Sequence, residues 1–375
     1  MIHYVCLEEE QNTIAPFLYA CGPKLARHIR ITTYEEIFAA GSIEPGHLIL
    51  TDFDRMSLYE LEAAQEIARS MRAAVPGVAV LNEPTRSLQR YGLLSMLWRE
   101  GINPFRAVRL DDTIPEDLRY PVFIRRENEA RGAETDLLHS ESELRTAMAK
   151  LTAAGRPLTG RLAVEYCAEK GSDGFFRKYG IFRVGDHILP QHIQFSDHWV
   201  VKRDSSRMNA AHLAEEMDYI RSNPHAAEIK AIFERAGIGF GRMDYGIVGG
   251  RVVVFEINLN ATFPRGDKND ARQERRVIAR QRLIEALRAV DTPLQQARRV
   301  AFRPPEPRIH LLPTPRARLS AQGSVWRLRG RSRWLDRAIS LYWTLVPHRV
   351  RKMIPEDFKL QVHDLLGRSL RRRYP

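Results

Sequence analysis

The sequence predicts a mixed fold, in which a parallel α/β unit is followed by helices and antiparallel strand pairs. In residues 1–83, short apolar segments alternate with helical patterns, as they do in parallel sheets. Later in the chain, strands flank glycine turns, as they do in antiparallel hairpins. With 375 residues and 44% hydrophobic side chains, the chain can bury a large core in two or three domains.

The N-terminal unit contains three predicted strands, in IHYVCLEE, HLILTDFD and VAVLN, and a long helix in SLYELEAAQEIARSMRAA. Ser57 precedes this helix and Glu60 follows three residues later, which is the pattern of a capping box. The helix ends at a Val-Pro-Gly-Val segment. We therefore expect residues 1–83 to form an N-terminal α/β domain.

Residues 84–297 are predicted to form a second domain. An Asn-x-Pro turn at Asn82 leads to an amphipathic helix whose apolar face carries Leu88, Tyr91, Leu94 and Leu97. The segments YPVFIRREN and RLAVEYC read as strands on either side of a capped helix. A hairpin turning at Gly185-Asp186 follows, and the segment from residue 206 to residue 237 is mostly helical.

A second hairpin carries the most informative polar residues. The glycines of VGG supply a tight turn between two β-branched strands. Alternation along RVVVFEIN places Val254, Glu256 and Asn258 on one face, and Val253, Phe255 and Ile257 on the other. Asp244 lies on the partner strand at a similar distance from the turn, so three oxygen-bearing side chains should converge.

Carboxylate and amide oxygens are the ligands that Mg²⁺ prefers, together with substrate phosphates and water. Two acids and one amide therefore favour a nucleotide-bound Mg²⁺ over a closed protein cage. An exposed hairpin with polar residues on its wet face is the alternative interpretation of the same pattern.

The charge is unevenly distributed along the chain. Residues 265–375 contain 27 Lys and Arg against 10 Asp and Glu, a net charge of +17, whereas residues 1–264 carry −5. A helix is predicted at the start of this basic part, with Val277, Leu283, Ile284 and Leu287 as its apolar stripe. We name residues 298–375 the basic extension; it contains a proline-rich segment, then arginine clusters with Trp326, Trp334 and Trp343.

Arginines mixed with aromatic residues suit an anionic surface, either a membrane or a nucleic acid, and a docked helical appendage is the alternative. No segment approaches the roughly 20 apolar residues of a membrane span, and the N-terminus lacks a signal-peptide pattern. Cys6, Cys21 and Cys167 are far apart and show no metal-binding spacing. We expect a cytoplasmic protein with reduced thiols.

The order of these motifs, from Asn82 to Pro264, is similar to the ATP-grasp superfamily. Members include D-alanine:D-alanine ligase, glutathione synthetase and ribosomal-protein glutamate ligases. The resemblance implies an N-terminal α/β domain followed by two α+β lobes that hold ATP between them. Outside the resemblance, the composition of this chain predicts a basic helical C-terminal extension. It also implies that Asp244, Glu256 and Asn258 are Mg²⁺ ligands, and that Arg242 stabilises a reaction oxyanion. A surface strand arginine is the alternative for Arg242.

The resemblance further implies a set of nucleotide contacts. Arg125 occupies the position where the family usually has a phosphate-binding lysine, and Arg126 is beside it. Glu165, Tyr166 and Cys167 resemble the strand that receives adenine, and either Glu169 or Asp173 is expected at the ribose. Lys178 and Arg183 are expected at the phosphates, and Met243 or Phe255 at the adenine ring. For each set, a charged strand end or an ordinary core position remains the alternative.

His192 and His198 lie downstream of the first hairpin without a metal-spaced partner. We expect them to be satisfied by neighbouring groups, with a histidine-mediated step as the alternative. GxSxG, HExxH and P-loop patterns do not occur in the sequence, which excludes the common hydrolases, metalloproteases and P-loop enzymes.

The resemblance implies an ATP- and Mg²⁺-dependent carboxylate:amine ligase that works through an acylphosphate. Its substrate would be a small molecule or peptide with a carboxylate and an amine. A kinase acting on a sugar or polyol needs the same ATP and metal groups, and remains an alternative. A non-catalytic nucleotide-binding module is another. The sequence after Asn258 differs from the pattern of the amino-acid ligases, so the resemblance does not identify the substrate. The sequence also leaves the oligomeric state open.

Overall fold

The structure, a computed structural model, describes residues 1–21, 23–129, 132–201, 208–264, 272–295 and 298–303. All of the described residues belong to one compact unit of the chain. The proline-rich and arginine-rich parts of the basic extension, with their three tryptophans, lie outside the described residues. Within the described residues, no helix combines the length and the apolar composition needed to cross a membrane.

The N-terminal unit is a parallel sheet with helices, as predicted. Its strands occur in the order β2-β1-β4-β5, and each neighbouring pair is parallel. Ser57 and Glu60 form the predicted capping box of α4. The elements in chain order are β1 (Ile2–Cys6), α1 (Ala15–Cys21), α2 (Pro23–Ala26), β2 (Ile29–Thr33), α3 (Tyr34–Ala40), β3 (Ser42–Ile43), β4 (His47–Leu50), α4 (Leu58–Ala74) and β5 (Val80–Leu81).

A small antiparallel sheet follows, in the order β6-β8-β7. Leu144 of α6 packs on Ile124 and Ala163 of this sheet. The elements are α5 (Arg90–Arg99), β6 (Ala107–Arg109), β7 (Val122–Arg126), α6 (Glu141–Ala153) and β8 (Arg161–Glu165). This is the first α+β lobe.

The second lobe is a four-stranded antiparallel sheet in the order β10-β9-β11-β12. One face packs on α7 and α8, where Met243 contacts a cluster that includes Ile220 and Phe233. On the other face, Phe182 packs in a cluster with Tyr4 of the N-terminal sheet. The remaining elements are β9 (Phe176–Val184), β10 (His187–Ser196), α7 (Ala210–Ser222), α8 (Ala226–Arg235), β11 (Phe240–Val248), β12 (Arg251–Asn258), α9 (Gln273–Val290) and β13 (Val300–Ala301).

Two expectations about side-chain direction are wrong. A bulge opposite Asp244 and Tyr245 adds one residue to β12, so Val254 packs in the same cluster as Ile257 and not on the face of Glu256. In α9, Val277 is exposed although it was expected in the apolar stripe. Arg275 of the same helix is buried instead, and it forms an ion pair with Glu216.

The chain after α9 returns to the N-terminal unit. Val300 of β13 pairs with Ile43 of β3, and Phe302 packs beside Phe38 at a centroid distance of 6.2 Å. Val300 and Phe302 are 5% and 6% exposed, so this segment closes the core of the N-terminal unit. We name residues 292–303 the return segment. Cys6 and Cys167 are free thiols.

Candidate functional site

Asp244, Glu256 and Asn258 lie on one face of the second lobe. Asp244 of β11 and Glu256 of β12 are directly opposite each other in the antiparallel register, and Arg242 is opposite Asn258. The Asn258 amide donates to Oε1 of Glu256 at 3.3 Å. The neighbours Met243 and Ile257 pack into the core on the opposite face, which fixes the direction of the polar set. The structure thus brings the three predicted oxygen donors together.

Four cationic side chains contact the two carboxylates. Arg90 and Arg125 donate to Oε2 of Glu256 at 2.8 Å and 2.7 Å. Arg242 donates to Oδ1 of Asp244 at 2.8 Å, and Nζ of Lys178 lies 3.3 Å from Oδ2 of Asp244. The cluster therefore carries more positive than negative charge. Such a surplus favours a polyanion as its ligand.

Glu256 is ionised by these neighbours. Burial alone would raise the pKa of its carboxyl group, but Arg125, Arg90 and Lys178 outweigh burial and hold the pKa well below its usual range. A carboxylate that stays ionised at all physiological pH values can act as a metal ligand without first losing a proton.

Arg90 belongs to this cluster although the sequence interpretation missed it. Its Nη1 also donates to the carbonyl oxygens of Glu127 and Glu129, at 2.6 Å and 2.9 Å. The arginine thus connects the start of α5 with the loop after β7 and with β12. A signal was available in the sequence, since Arg90 shares its helix face with the buried Leu94 and Leu97. An arginine within an apolar stripe indicates a buried partner.

The two neighbouring arginines of β7 point to different partners. Arg125 is 8% exposed and contacts Glu256. Arg126 contacts Glu129 and Glu134, the latter at 3.0 Å. Of these two arginines, only Arg125 lies with the acidic pair, so the structure separates the two β7 residues that were predicted at the phosphates.

Two of the residues predicted at adenine pack against the same apolar cluster. Phe255, Cys167 and Phe123 are partly buried and lie against a buried cluster between the small sheet and β12. The Tyr166 ring lies beside Trp199 at 5.9 Å, and Trp199 is also 5.2 Å from Phe123. This partly exposed aromatic surface is what a planar base requires.

Glu165 has a different environment. Its carboxylate accepts from Arg106 at 3.1 Å and from Arg119 at 2.6 Å, and its side chain is 3% exposed. The backbone N–H of Tyr166 donates to Pro121 at 2.8 Å. In this structure these groups join β6, β7 and β8 to each other.

Several predicted residues lie away from the acidic pair. Met243 is fully buried in the core of the second lobe. Arg183 donates to the Gly185 carbonyl at 2.7 Å and lies 3.9 Å from Glu234. Asp173 accepts from Arg177 at 2.9 Å and from His212 at 2.8 Å, and together they hold its pKa well below the usual range.

The remaining ribose and histidine candidates also have defined positions. Glu169 accepts the backbone N–H of Gly249 at 2.8 Å. His198 is exposed and accepts from the Val200 N–H at 3.1 Å. His192 is buried on the face that carries Asp244, and its Nε2 has no hydrogen-bond partner among the residues that the structure describes. Within those residues, the expectation that neighbouring groups satisfy both histidines is wrong for Nε2 of His192.

The three oxygen donors are of the type that a hard divalent cation prefers, but the net charge around them is positive and opposes a bare cation. Within the described part of the chain, no group of three or more His, Cys, Asp or Glu side chains could hold a metal ion. Asp244, Glu256 and Asn258 offer two carboxylates and an amide oxygen, which are Mg²⁺ ligands. The surrounding arginines and lysine repel a bare cation. The site therefore fits Mg²⁺ together with an anion that engages those cations.

Comparison with protein-family models gave no match, and comparison with curated proteins gave none either. Among solved structures, D-alanine–D-alanine ligase from Bacillus anthracis complexed with ATP is 12% identical; the match covers 76% of this chain and 99% of that chain, with a TM-score of 0.42. A RimK domain ATP-grasp protein from Sphaerobacter thermophilus is 13% identical, with 76% and 99% covered and a TM-score of 0.43. An L-amino acid ligase from Bacillus licheniformis is 14% identical, with 76% and 73% covered and a TM-score of 0.39.

The similar structures thus include a protein named for the superfamily that the sequence motifs resemble. Their TM-scores are below 0.5, so neither membership, activity nor substrate is transferred from them.

Proposed function

We propose that the protein is an ATP- and Mg²⁺-dependent carboxylate:amine ligase of the ATP-grasp type. One observation carries the proposal: Asp244 and Glu256 lie opposite each other on two strands, within a cluster of four cations. A triphosphate with bound Mg²⁺ complements both parts of this cluster, because its phosphates attract the cations and its metal attracts the carboxylates.

Asp244, Glu256 and Asn258 would hold the metal. Glu256 is ionised, and the amide nitrogen of Asn258 faces Glu256, which leaves the Asn258 carbonyl oxygen for a cation. Bound Mg²⁺ would neutralise charge on the triphosphate and polarise the transferred phosphoryl group. Arg90, Arg125 and Lys178 would turn from the carboxylates to phosphate oxygens when the nucleotide enters.

The adenine would occupy the apolar surface formed by Phe123, Cys167 and Phe255. This cluster lies between the small sheet and β12, whereas the cations lie at the polar face of β11 and β12. A nucleotide that spans both would have its base on an aromatic surface and its phosphates at the arginines.

In the proposed reaction a substrate carboxylate oxygen bonds to the γ-phosphorus while the bond to ADP breaks. An amine then attacks the acylphosphate, loses a proton, and displaces phosphate. Arg242 is held by Asp244 on the face of the proposed metal ligands. Its guanidinium would donate to the oxyanion that forms when the amine attacks.

The test is to measure ADP and phosphate formation with Mg²⁺ and ATP, using pools of amino acids, polyamines, sugar acids and polyols. One ADP per amide product supports the ligase. A phosphorylated product without an amide would show a kinase instead. Absence of turnover with every pool, in protein that binds ATP, would contradict both enzymes. Asp244→Asn is the control for contaminating ATPases, since it should abolish any turnover that belongs to this site.

A further inference from the structure

His192 belongs to the same transverse row of residues as the two acidic side chains. Across the second lobe, His192 of β10 is opposite Gly180 of β9, Gly180 is opposite Asp244, and Asp244 is opposite Glu256. Residues opposite each other in a sheet share a face. Gly180 has no side chain, and the His192 ring lies over it: a Cβ there would be 2.5 Å from Cε1 of His192.

The imidazole is buried in a strongly cationic environment. His192 is 8% exposed, and no group in the described part of the chain forms a hydrogen bond with its Nε2. Burial lowers the pKa of the ring well below its usual value, and Arg242, Arg275, Lys178 and Arg272 lower it further. A buried polar atom without a partner destabilises the folded state, because it has lost its hydrogen bonds to water. Such an atom among cations indicates a place for an anion.

The strand around His192 is held in place by buried ion pairs. Glu216 of α7 accepts the Ile193 N–H at 3.0 Å. Arg272 bonds to Glu216 and to the Ile193 carbonyl, each at 2.9 Å, and Arg275 donates to the Gln191 carbonyl at 2.7 Å. The register of β10 also shifts between Pro190 and His192. The contacts on both sides of this register shift in β10 hold the backbone that carries the His192 imidazole.

We propose that Nε2 of His192 donates a hydrogen bond to the substrate carboxylate that is phosphorylated, with Lys178 and Arg242 supplying the compensating charge. The proposal rests on the proposed function. One carboxylate oxygen attacks the γ-phosphorus, the bond between that phosphorus and the β,γ-bridging oxygen breaks, and ADP leaves with the electron pair. The other carboxylate oxygen stays on His192, which neither gains nor loses a proton.

The position of His192 favours a carboxylate over a nucleotide phosphate. Adjacent strands are about 4.8 Å apart, so the backbones of His192 and Asp244 are two strand spacings, or about 10 Å, apart, and the His192 ring, over Gly180, lies about one spacing from β11. The metal-bound phosphates would lie between Asp244 and Glu256. The group that attacks the terminal phosphorus must approach from the side away from ADP. The adenine is proposed on the β12 side of the acidic pair, whereas the His192 ring, which lies over Gly180, is on the β10 side.

The experiment uses the full chain labelled with ¹⁵N-histidine and follows imidazole nitrogen signals by NMR at pH 7.5. Acetate, inorganic phosphate and chloride are added separately at equal ionic strength, without ATP, Mg²⁺ or amine. The pair of ring-nitrogen signals that is lost in His192→Gln identifies the His192 ring. We expect acetate to shift the His192 Nε2 signal in a saturable manner, in about the millimolar range.

Two further variants separate binding from a structural role. His192→Phe keeps the ring volume and removes the donor, so it should fold with equal or greater stability yet bind acetate at least about tenfold more weakly, measured by thermal shift. His192→Gln restores an N–H donor and should recover part of that affinity. His198→Gln, at the exposed histidine, should leave the acetate response unchanged.

The proposal is overturned if acetate leaves the His192 signal in place, or if His192→Phe binds acetate as the natural protein does. A shift with phosphate but not with acetate would assign the position to the nucleotide and would also overturn it. Because the measurement contains no ATP, failure of the ligase assay and failure of the carboxylate site can be told apart.

Discussion

Arg242 and Asp244, two residues apart on β11, form an ion pair in which Nε of Arg242 lies 2.8 Å from Oδ1 of Asp244. Both side chains lie on the face of Glu256, because alternate residues of a strand share a face. The guanidinium proposed to stabilise the oxyanion is thus oriented by a proposed metal ligand. Its side chain is 16% exposed, which leaves part of it accessible to substrate.

We predict that Arg242→Ala lowers kcat by about 100-fold or more while changing ATP affinity by less than about tenfold. A donor to a transition-state oxyanion contributes mainly to kcat. Steady-state kinetics and ATP binding measure the two effects. Arg251→Ala is the matched control, since Arg251 is exposed on β12 and donates to the Gly101 carbonyl at 2.8 Å. Equal losses of kcat and ATP affinity would make Arg242 a nucleotide ligand.

Asn258→Ala and Glu256→Gln should differ in stability although both abolish Mg²⁺-dependent turnover. Within the described residues, the side chain of Asn258 forms one hydrogen bond, of 3.3 Å, to Glu256, so its removal should cost less than about 1 kcal/mol. Glu256→Gln leaves the buried Arg90 and Arg125 without their counter-charge and should cost about 3–5 kcal/mol. Urea unfolding and ATP turnover test this. Full turnover in Asn258→Ala would show that Asn258 is not a metal ligand.

The polar residues of the second hairpin could be predicted because strand alternation is local. That rule places Glu256 and Asn258 on one face, and the structure agrees. The same rule also separates Lys178 from Arg183, which are an odd number of residues apart on β9, yet both were expected at the phosphates. Arg183 contacts Glu234 of α8, whereas Lys178 contacts Asp244.

The bulge in β12 and the contact of Arg90 with Glu256 depend on distant partners. The bulge arises where β12 pairs with Asp244 and Tyr245, and no residue of RVVVFEIN signals it. Arg90 and Glu256 are 166 residues apart and meet only when α5 packs on β12. Local patterns predict the elements and their faces, whereas such contacts require the assembled lobes.

Mg²⁺ alone should not bind this site, whereas Mg²⁺ with ATP should. The four cations at Asp244 and Glu256 repel a bare divalent ion until phosphates engage them. We expect no change in Tm with millimolar Mg²⁺, and a rise with Mg²⁺ and ATP together that follows ligand concentration. Differential scanning calorimetry measures it. A comparable rise with Mg²⁺ alone would contradict the charge argument.

The stability of the N-terminal unit should fall in mild acid because of His3. This residue is 1% exposed, and burial, assisted by the charges of Arg30 and the N-terminal amine, lowers the pKa of its ring to about 4. The unfolded chain, with an ordinary histidine pKa of about 6.5, binds the proton more strongly. Stability therefore rises with pH between about 4 and 6.5, and is lost as pH falls through this window.

We predict that this one group removes about 2 kcal/mol of unfolding free energy between pH 7 and pH 5. His3→Gln should remove that part of the pH dependence, because glutamine does not titrate. Urea unfolding of both proteins at the two pH values gives the difference. An identical pH dependence in the variant would show that His3 does not titrate below its usual range.

Chains that end after Arg303 and after Asp291 should behave differently. The shorter chain loses the return segment, including the buried Val300 and Phe302. At about 1.5–3 kcal/mol for each buried apolar side chain, it should be destabilised by about 3–6 kcal/mol. The chain that ends after Arg303 keeps this segment and every residue of the candidate site, so its turnover should equal that of the full chain.

The chain that ends after Arg303 also tests the basic extension. The removed residues 304–375 contain 16 Lys and Arg against 5 Asp and Glu, a net charge of +11, so the full chain should bind anionic vesicles or RNA with an affinity that falls steeply as salt rises. The shortened chain should have lost most of this binding. Sedimentation with vesicles and with RNA, at low and high salt, decides between a membrane and a nucleic acid. A shortened chain that is insoluble or inactive would mean that residues 304–375 stabilise the folded protein, and unchanged binding would place the anionic surface elsewhere.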